Sequence, residues 1–291
     1  MGIAVVASAD PGVVLGQAGD LLVGDPVGHN VVGTKLADAI RYGEPGRCWI
    51  GLADGVPAGV AVQQPVDTAL AVAPMSADLA GAIAAAVDAD GGTLPGVFGP
   101  AGVASHFAEV WAGLRTVAAV LTSAEQVCEV VDLRMPPGVG GALRRAAAAD
   151  RELLLSWLPG FRPGAGWASS NPAAVFVTRR LAAGEVWIWD DNGPVSMAAR
   201  TETVAGVSRI QAVNTPPELR GRGYASAGVA ALSAGVLAQG LRCVLTVNVA
   251  NTVASSVYQR LGYRAVSDVR RYQFRAPTLH EIPAGLRDTT R

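Results

Sequence analysis

Two stretches of the chain alternate apolar and polar positions around a turn dipeptide, and each opens the same succession of elements. Cys48–Gln64 places strand-like runs on both sides of Asp54-Gly55, and Glu185–Thr201 does so around Asn192-Gly193. Asp-Gly and Asn-Gly suit the left-handed backbone of a two-residue hairpin turn. A third apolar strand follows each hairpin, at Thr68–Ala73 and Ser208–Asn214. Ala-rich helices come next, at Ala77–Val87 and Arg222–Ala238, then short strands near Gly96–Phe98 and Cys243–Asn248. The helices that close each series share a triplet, Val103-Ala104-Ser105 and Val253-Ala254-Ser255. Repetition of the whole order indicates a duplicated unit.

The two halves part near the Pro/Gly run Met135–Gly141, after the strand-like Val127–Arg134. The expected domains are therefore 1–135 and 136–291. Ahead of the second hairpin, Arg144–Trp157 carries Leu153, Leu154 and Trp157 at helical spacing, with Asp150 as N-cap. Pro159–Ser170 reads as a Gly/Pro-rich loop, Asn171–Leu181 as a further helix and Arg275–Arg291 as a polar tail. Strands interleaved with helices in this order make an α/β fold, a mixed sheet of α+β character with helices packed on it.

Half the residues are apolar and 16% are charged, against about 25% in an average soluble protein, which excludes a disordered chain. No run approaches the roughly 18 apolar residues needed to span a bilayer, so no membrane partner is expected. Residues 1–140 hold five basic and fourteen acidic side chains, a net of −9, and residues 141–291 carry +8. That basic half can attract a polyanion or simply its acidic counterpart. Cys48, Cys128 and Cys243 are scattered without CxxC spacing, and with three scattered His no metal site is expected. The start lacks the basic segment of a secretory signal, and a reduced cytoplasm is the default. Lys35 is the lone lysine among 23 basic residues, the usage of a GC-rich bacterial genome.

Chemistry concentrates in two segments of the second half. Arg220-Gly221-Arg222-Gly223-Tyr224-Ala225 follows the strand Arg209–Asn214 and a Thr-Pro-Pro-Glu turn, and it opens a helix. The pattern [QR]xxGx[GA] is common by chance. A helix start nevertheless presents unpaired N–H groups and the positive end of a dipole, and glycines let a pyrophosphate approach. A Gly-softened turn with solvated arginines is the plainer alternative, and no disordered Arg/Gly tract surrounds it to suggest nucleic acid. In Asn251–Gly262, Asn251 is placed to cap a helix that Gly262 ends. Asn251, Ser255 and Tyr258 share one face at i, i+4 and i+7, which suits a plain cap and a packed aromatic as well as a site.

AVNTPPELRGRGYASAGVAAL followed by VNVANTVASSVYQRLGYRAV resembles the two signature segments of GNAT superfamily N-acetyltransferases, over about residues 185–274 and more loosely 141–184. The resemblance implies two GNAT-like domains in tandem and acetyl-CoA as co-substrate. Backbone N–H groups of Gly221 to Ala225 would cradle its pyrophosphate, with Arg220 and Ser226 in the same site. The strand at Val213, Asn214 and Thr215 would splay from Cys243–Asn248 to admit the pantetheine, with Asn251 and Ser255 beside it. Tyr258 would be the general acid; a phenol of pKa about 10 is neutral and donates at pH 7. Many family members carry a glutamate on the strand before the loop, and Gly206–Asn214 has none. Glu202 is the first candidate base, then Asp190 and Asp191; a water relay or an already neutral amine would also serve.

In the first half Ala101 and Ala108 stand where the second has Asn251 and Tyr258, and the loop pattern is missing. Residues 20–115 thus read as a degenerate copy, with His29, His106 and Lys35 as structural or surface residues. Trp157, Phe161 and Trp167 would border the acceptor or pack in the core, as would Trp187 and Trp189. The resulting expectation is direct acetyl transfer to a small-molecule or peptide primary amine, by a monomer or homodimer. The rivals are a non-catalytic acyl-CoA-binding sensor and a protein-interaction module.

Overall fold

The computed structural model describes residues 2–158 and 172–278. Of these, the residues up to Ala124 and from Val269 onward make one compact unit, and those within Glu125–Asp268 make another. The boundary expected at 135/136 falls inside the second unit. The reason is strand pairing, which for β6 (Ala118–Val130) and β12 (Tyr263–Arg275) is decided far away in sequence.

The first unit contains β1 (Ile3–Ser8), α1 (Pro11–Gly24), α2 (Asn30–Tyr42), β2 (Arg47–Ala53), β3 (Val56–Gln63), β4 (Leu70–Val72), α3 (Ala77–Ala89), β5 (Gly96–Pro100) and α4 (Ala101–Arg115). Strands β1 to β4 pair antiparallel in sequence order, and β4 pairs parallel with β5. The β2–β3 turn is tight because Asp54 and Gly55 take left-handed φ of 49° and 83°. Val269–Gln273 of β12 lies antiparallel on β5. Phe274 thereby joins a core of Trp49, Leu70, Ile83, Phe107 and Trp111.

The second unit repeats the order, with β7 (Ala142–Arg145), α5 (Arg151–Trp157), α6 (Pro172–Ala182), β8 (Val186–Asp190), β9 (Pro194–Arg200), β10 (Val207–Asn214), α7 (Tyr224–Leu237), β11 (Arg242–Asn248) and α8 (Thr252–Arg260). β7 to β10 pair antiparallel, β10 pairs parallel with β11, and Glu125–Glu129 of β6 lies antiparallel on the far side of β11. Each sheet is mixed and flanked by helices. In the second unit one face packs on α7 and α8 through Ile210, Val229, Val236 and Leu245, and the other on α5 and α6 through Leu154, Phe176, Ile188 and Met197. Trp187 and Trp189 are buried among these clusters, so core packing accounts for both.

The helix expected over Arg144–Trp157 begins only at Arg151. Ala142–Arg145 is instead a strand on β8, and Asp150 does not cap the helix by side chain. Its carboxylate takes the Ala147 N–H at 2.7 Å and the Arg144 guanidinium at 2.8 Å. Phe161, Trp167 and Asn171, and the tail beyond Thr278, lie outside the described residues.

At the end of α6, Arg180 Nη1 donates to Glu185 Oε2 at 2.6 Å, with side chains only 6% and 9% exposed. Removing one partner strands a buried charge, which costs about 3–5 kcal/mol. Glu185→Ala should therefore lower the urea midpoint by far more than any exposed-pair variant such as Asp132→Ala, measured on the same protein.

Candidate active site

The site starts from an irregularity in β10. Ala212 adopts a left-handed φ of 51°, and the register against β9 shifts between Gln211 and Asn214. An inserted residue of this kind bends a strand and breaks its ladder. The parallel ladder to β11 runs from Val207–Arg242 to Ile210–Leu245. Past that point β10 stays bonded to β9 at Asn214–Met197, while β11 stays bonded to β6 as far as Asn248–Glu125. The two central strands are thus each held by their outer neighbours beyond the last shared pair. Ser196 fixes the end of β10, its Oγ 2.9 Å from the Asn214 carbonyl and 2.8 Å from Thr215 Oγ1. The Asn214 amide donates to the Trp157 carbonyl at 2.9 Å.

Beyond β10, a 3-10 turn at Pro217–Leu219 leads into the glycine pair. Gly221 and Gly223 have φ of 77° and 84°, a region that L side chains rarely enter. A Cβ on Gly223 would also stand 2.9 Å from Val139 Cγ2. α7 begins at Tyr224, so the N–H groups of its first turn have no intrahelical acceptor. The loop is braced on both sides: Arg220 Nε donates to the Thr215 carbonyl at 3.0 Å, and the Tyr224 hydroxyl donates to Asp191 Oδ2 at 2.8 Å. Such a loop is a ready cradle for a pyrophosphate.

α8 supplies the third wall. Asn251 caps it, with Oδ1 accepting from the Ala254 N–H at 3.1 Å, and its amide nitrogen bonds no described residue. Ser255 spends its hydroxyl on the Asn251 carbonyl at 3.1 Å. The Tyr258 ring sits edge-on to Tyr263 with centroids 5.9 Å apart. Burial pushes the Tyr258 phenol up to about 12, and the Cys128 thiol beside it adds to the shift. Its hydroxyl makes no hydrogen bond to a described residue.

One cleft of about 780 Å³ brings these parts together. Val213, Asn214, Thr215, Arg220, Gly221, Gly223, Tyr224, Ala225, Ser226, Asn251 and Tyr258 all line it. Arg222 and Ser255 do not; Arg222 is exposed beside the glycines, and Ser255 faces its own helix backbone. Glu202 is also elsewhere. The Thr201 N–H bonds the Arg209 carbonyl, so Glu202 adjoins the start of β10, roughly 16 Å from Val213 at about 3.3 Å per residue. Both hairpin acids are bonded within the protein: Asp190 pairs with Arg144 at 2.9 Å, which holds its carboxyl below the usual range, and Asp191 accepts from Tyr224. Among the described residues no aspartate or glutamate lines the cleft. Leu219, Val253, Ala254, Val257 and Arg260 line it without having been singled out in the sequence. For Ala254 the signal was present, since it lies three residues beyond Asn251 on the same face; Val257 and Arg260, at six and nine, lie off that face by helical spacing.

The first unit lacks this construction. At the start of α3 the Ser76 hydroxyl accepts from the Leu79 N–H at 3.3 Å, so the chain's own side chain occupies the helix end. Ala101 and Ala108 open and line α4 without a polar group. Among the described residues no cluster of three or more His, Cys, Asp or Glu is placed to hold a metal, and no helix is long and apolar enough to cross a membrane.

Residues 188–272 match the family model described as FR47-like protein. No curated sequence matches the chain. A GNAT-family acetyltransferase from Colwellia psychrerythraea superposes with a TM-score of 0.60 at 10% identity, over 94% of this chain and 100% of that one. The protein has the tandem GNAT fold. A GCN5-related N-acetyltransferase from Sphaerobacter thermophilus gives a TM-score of 0.57 at 16% identity, covering 93% of this chain and 94% of its own. A tandem GNAT protein from the clavulanic acid biosynthesis pathway gives 0.57 at 11%, over 95% and 99%. Within this GNAT fold the broken β10–β11 ladder, the glycine loop and Tyr258 all belong to the second unit.

The raised Tyr258 value has a direct readout. Burial disfavours the phenolate, so the fold's preference for neutral phenol is complete below about pH 10 and fades as pH rises through about 12. The wild-type minus Tyr258→Phe phenolate difference spectrum should titrate near pH 12. A midpoint near 10 would mean the ring is not desolvated.

Proposed function

We propose that the second unit is an N-acetyltransferase moving acetyl from acetyl-CoA to a primary amine by direct attack within a ternary complex. The observation that carries the reading is the single cleft in which a glycine-bent helix start, an interrupted parallel ladder and an unbonded phenol meet. The N–H groups of Gly221 to Ala225, with Arg220 and Ser226, take the pyrophosphate. Main-chain groups of Val213 to Thr215 and the free amide of Asn251 hold the pantetheine arm. The amine nitrogen bonds to the thioester carbon, the C–S bond breaks, and the departing thiolate takes the Tyr258 proton. Main-chain donors freed by the broken ladder stabilise the tetrahedral oxyanion. With no described carboxylate on the cleft, the amine attacks in its neutral form. The proton its nitrogen loses on forming the amide passes to water, and water returns a proton to Tyr258.

Small-molecule and peptide amines both fit this scheme, and the cytoplasm is the compartment where acetyl-CoA and a reduced Cys128 would coexist. The first unit works as a degenerate copy without CoA chemistry. The missing carboxylate also favours a second reading, an acyl-CoA-binding sensor without turnover.

Calorimetric titration with acetyl-CoA separates these. Wild type should bind, and Gly223→Glu should not, because a side chain meets Val139 there and its charge repels phosphate. Failure of folded wild type to bind would end both readings. Tyr258→Phe should keep acetyl-CoA affinity within about twofold while kcat for amine acetylation falls about a hundredfold, the usual worth of a general acid. Tight binding with no transfer to any of a panel of polyamines, amino acids and peptide N-termini would favour the sensor.

A further inference from the structure

The cleft carries a cation that the transfer chemistry leaves unused. Three arginines lie on or beside it. Arg220 is tethered to the Thr215 carbonyl and braces the loop, and Arg222 does not line the cleft. Arg260, in the last turn of α8, lines it, is exposed to solvent at its mouth, and forms no ion pair or hydrogen bond with a described residue. Among the described residues no carboxylate lies on the cleft to neutralise it.

The charge of a CoA thioester is more than the loop can match. Oriented N–H groups at a helix start are equivalent to about half an elementary charge and are placed for the pyrophosphate. The phosphomonoester on the ribose adds a further charge of roughly −1.5 to −2 at neutral pH. An arginine fork suits such a group, with two parallel charge-assisted hydrogen bonds. Arg260 is two residues from Tyr258 and on the same cleft as Gly221, so it belongs to the donor site and not to a separate surface.

We propose that Arg260 binds the 3′-phosphate of the donor's ribose and so makes the site selective for free CoA thioesters over pantetheine thioesters that lack this phosphate, including those borne on a carrier protein. The proposal rests on the acetyl-CoA reading of the cleft.

The test is a calorimetric cycle with CoA and 3′-dephospho-CoA on wild type and Arg260→Gln, each checked for an unchanged melting transition. Wild type should prefer CoA by about fivefold, the size of one exposed charge-assisted contact. In Arg260→Gln the preference should vanish through weaker CoA binding, with dephospho-CoA affinity unchanged. A preference retained in the variant, or equal affinity for both ligands in wild type, overturns the assignment of Arg260 while leaving the donor site standing. Absence of binding by both ligands to folded wild type overturns the donor site itself and Arg260 with it. Higher salt should shrink the wild-type preference, because this contact is exposed to solvent.

Discussion

The second unit depends on one backbone irregularity, the left-handed turn of Ala212 within β10. In a regular parallel pair, every N–H and C=O between β10 and β11 would be consumed by the ladder, and nothing could pass between them. The ladder ends after Ile210–Leu245, and past the bulge Val213, Asn214 and Thr215 line the cleft. A non-glycine residue in that region is strained by about 1–2 kcal/mol. The strain persists because the surroundings hold it. β9 grips β10 on both sides of the bulge, Ser196 clamps Asn214 and Thr215, and the Asn214 amide reaches back to α5.

Electrostatics around the gap are arranged by subtraction. The two hairpin acids are each bonded, Asp191 to Tyr224 and Asp190 to Arg144, and no described carboxylate lines the cleft. The cleft surface is therefore neutral to basic, and the phenol of Tyr258 is kept protonated by the apolar packing of Tyr263 and α8. A phenol that stays neutral and protonated across the working range needs no partner to hold it in that form.

Much of this was readable from residue order. Asp54-Gly55 and Asn192-Gly193 specify hairpins by the φ values they tolerate, and Gly221 and Gly223 specify the loop in the same way. The spacing of Asn251 and Tyr258 put both on the cleft side of α8. Ser255 shares that spacing but turns its hydroxyl to the backbone, a local choice that periodicity does not resolve. The bulge itself left no trace, because Ala212 lacks the glycine that ordinarily announces a left-handed residue. Glu202 attracted attention by closeness in sequence, whereas an extended strand carries neighbours apart by about 3.3 Å per residue. The partners of β6 and β12 were illegible for the complementary reason: a strand's own pattern names its buried face and not the edge that will bond it.

The membership of β12 has a consequence for how the chain is made. Its terminal half, Val269–Gln273, covers the β5 edge of the first unit, yet the ribosome delivers it only after every residue of the second unit. During synthesis β5 must therefore wait with an open row of backbone donors and acceptors, while Phe274 is missing from the core around Trp111. Folding of the first unit cannot finish in the vectorial order usual for domains strung along a chain. A nascent protein of this design is most exposed to chaperones and proteases until its last strand emerges, and premature termination anywhere in the second half leaves both products of the duplication unfinished.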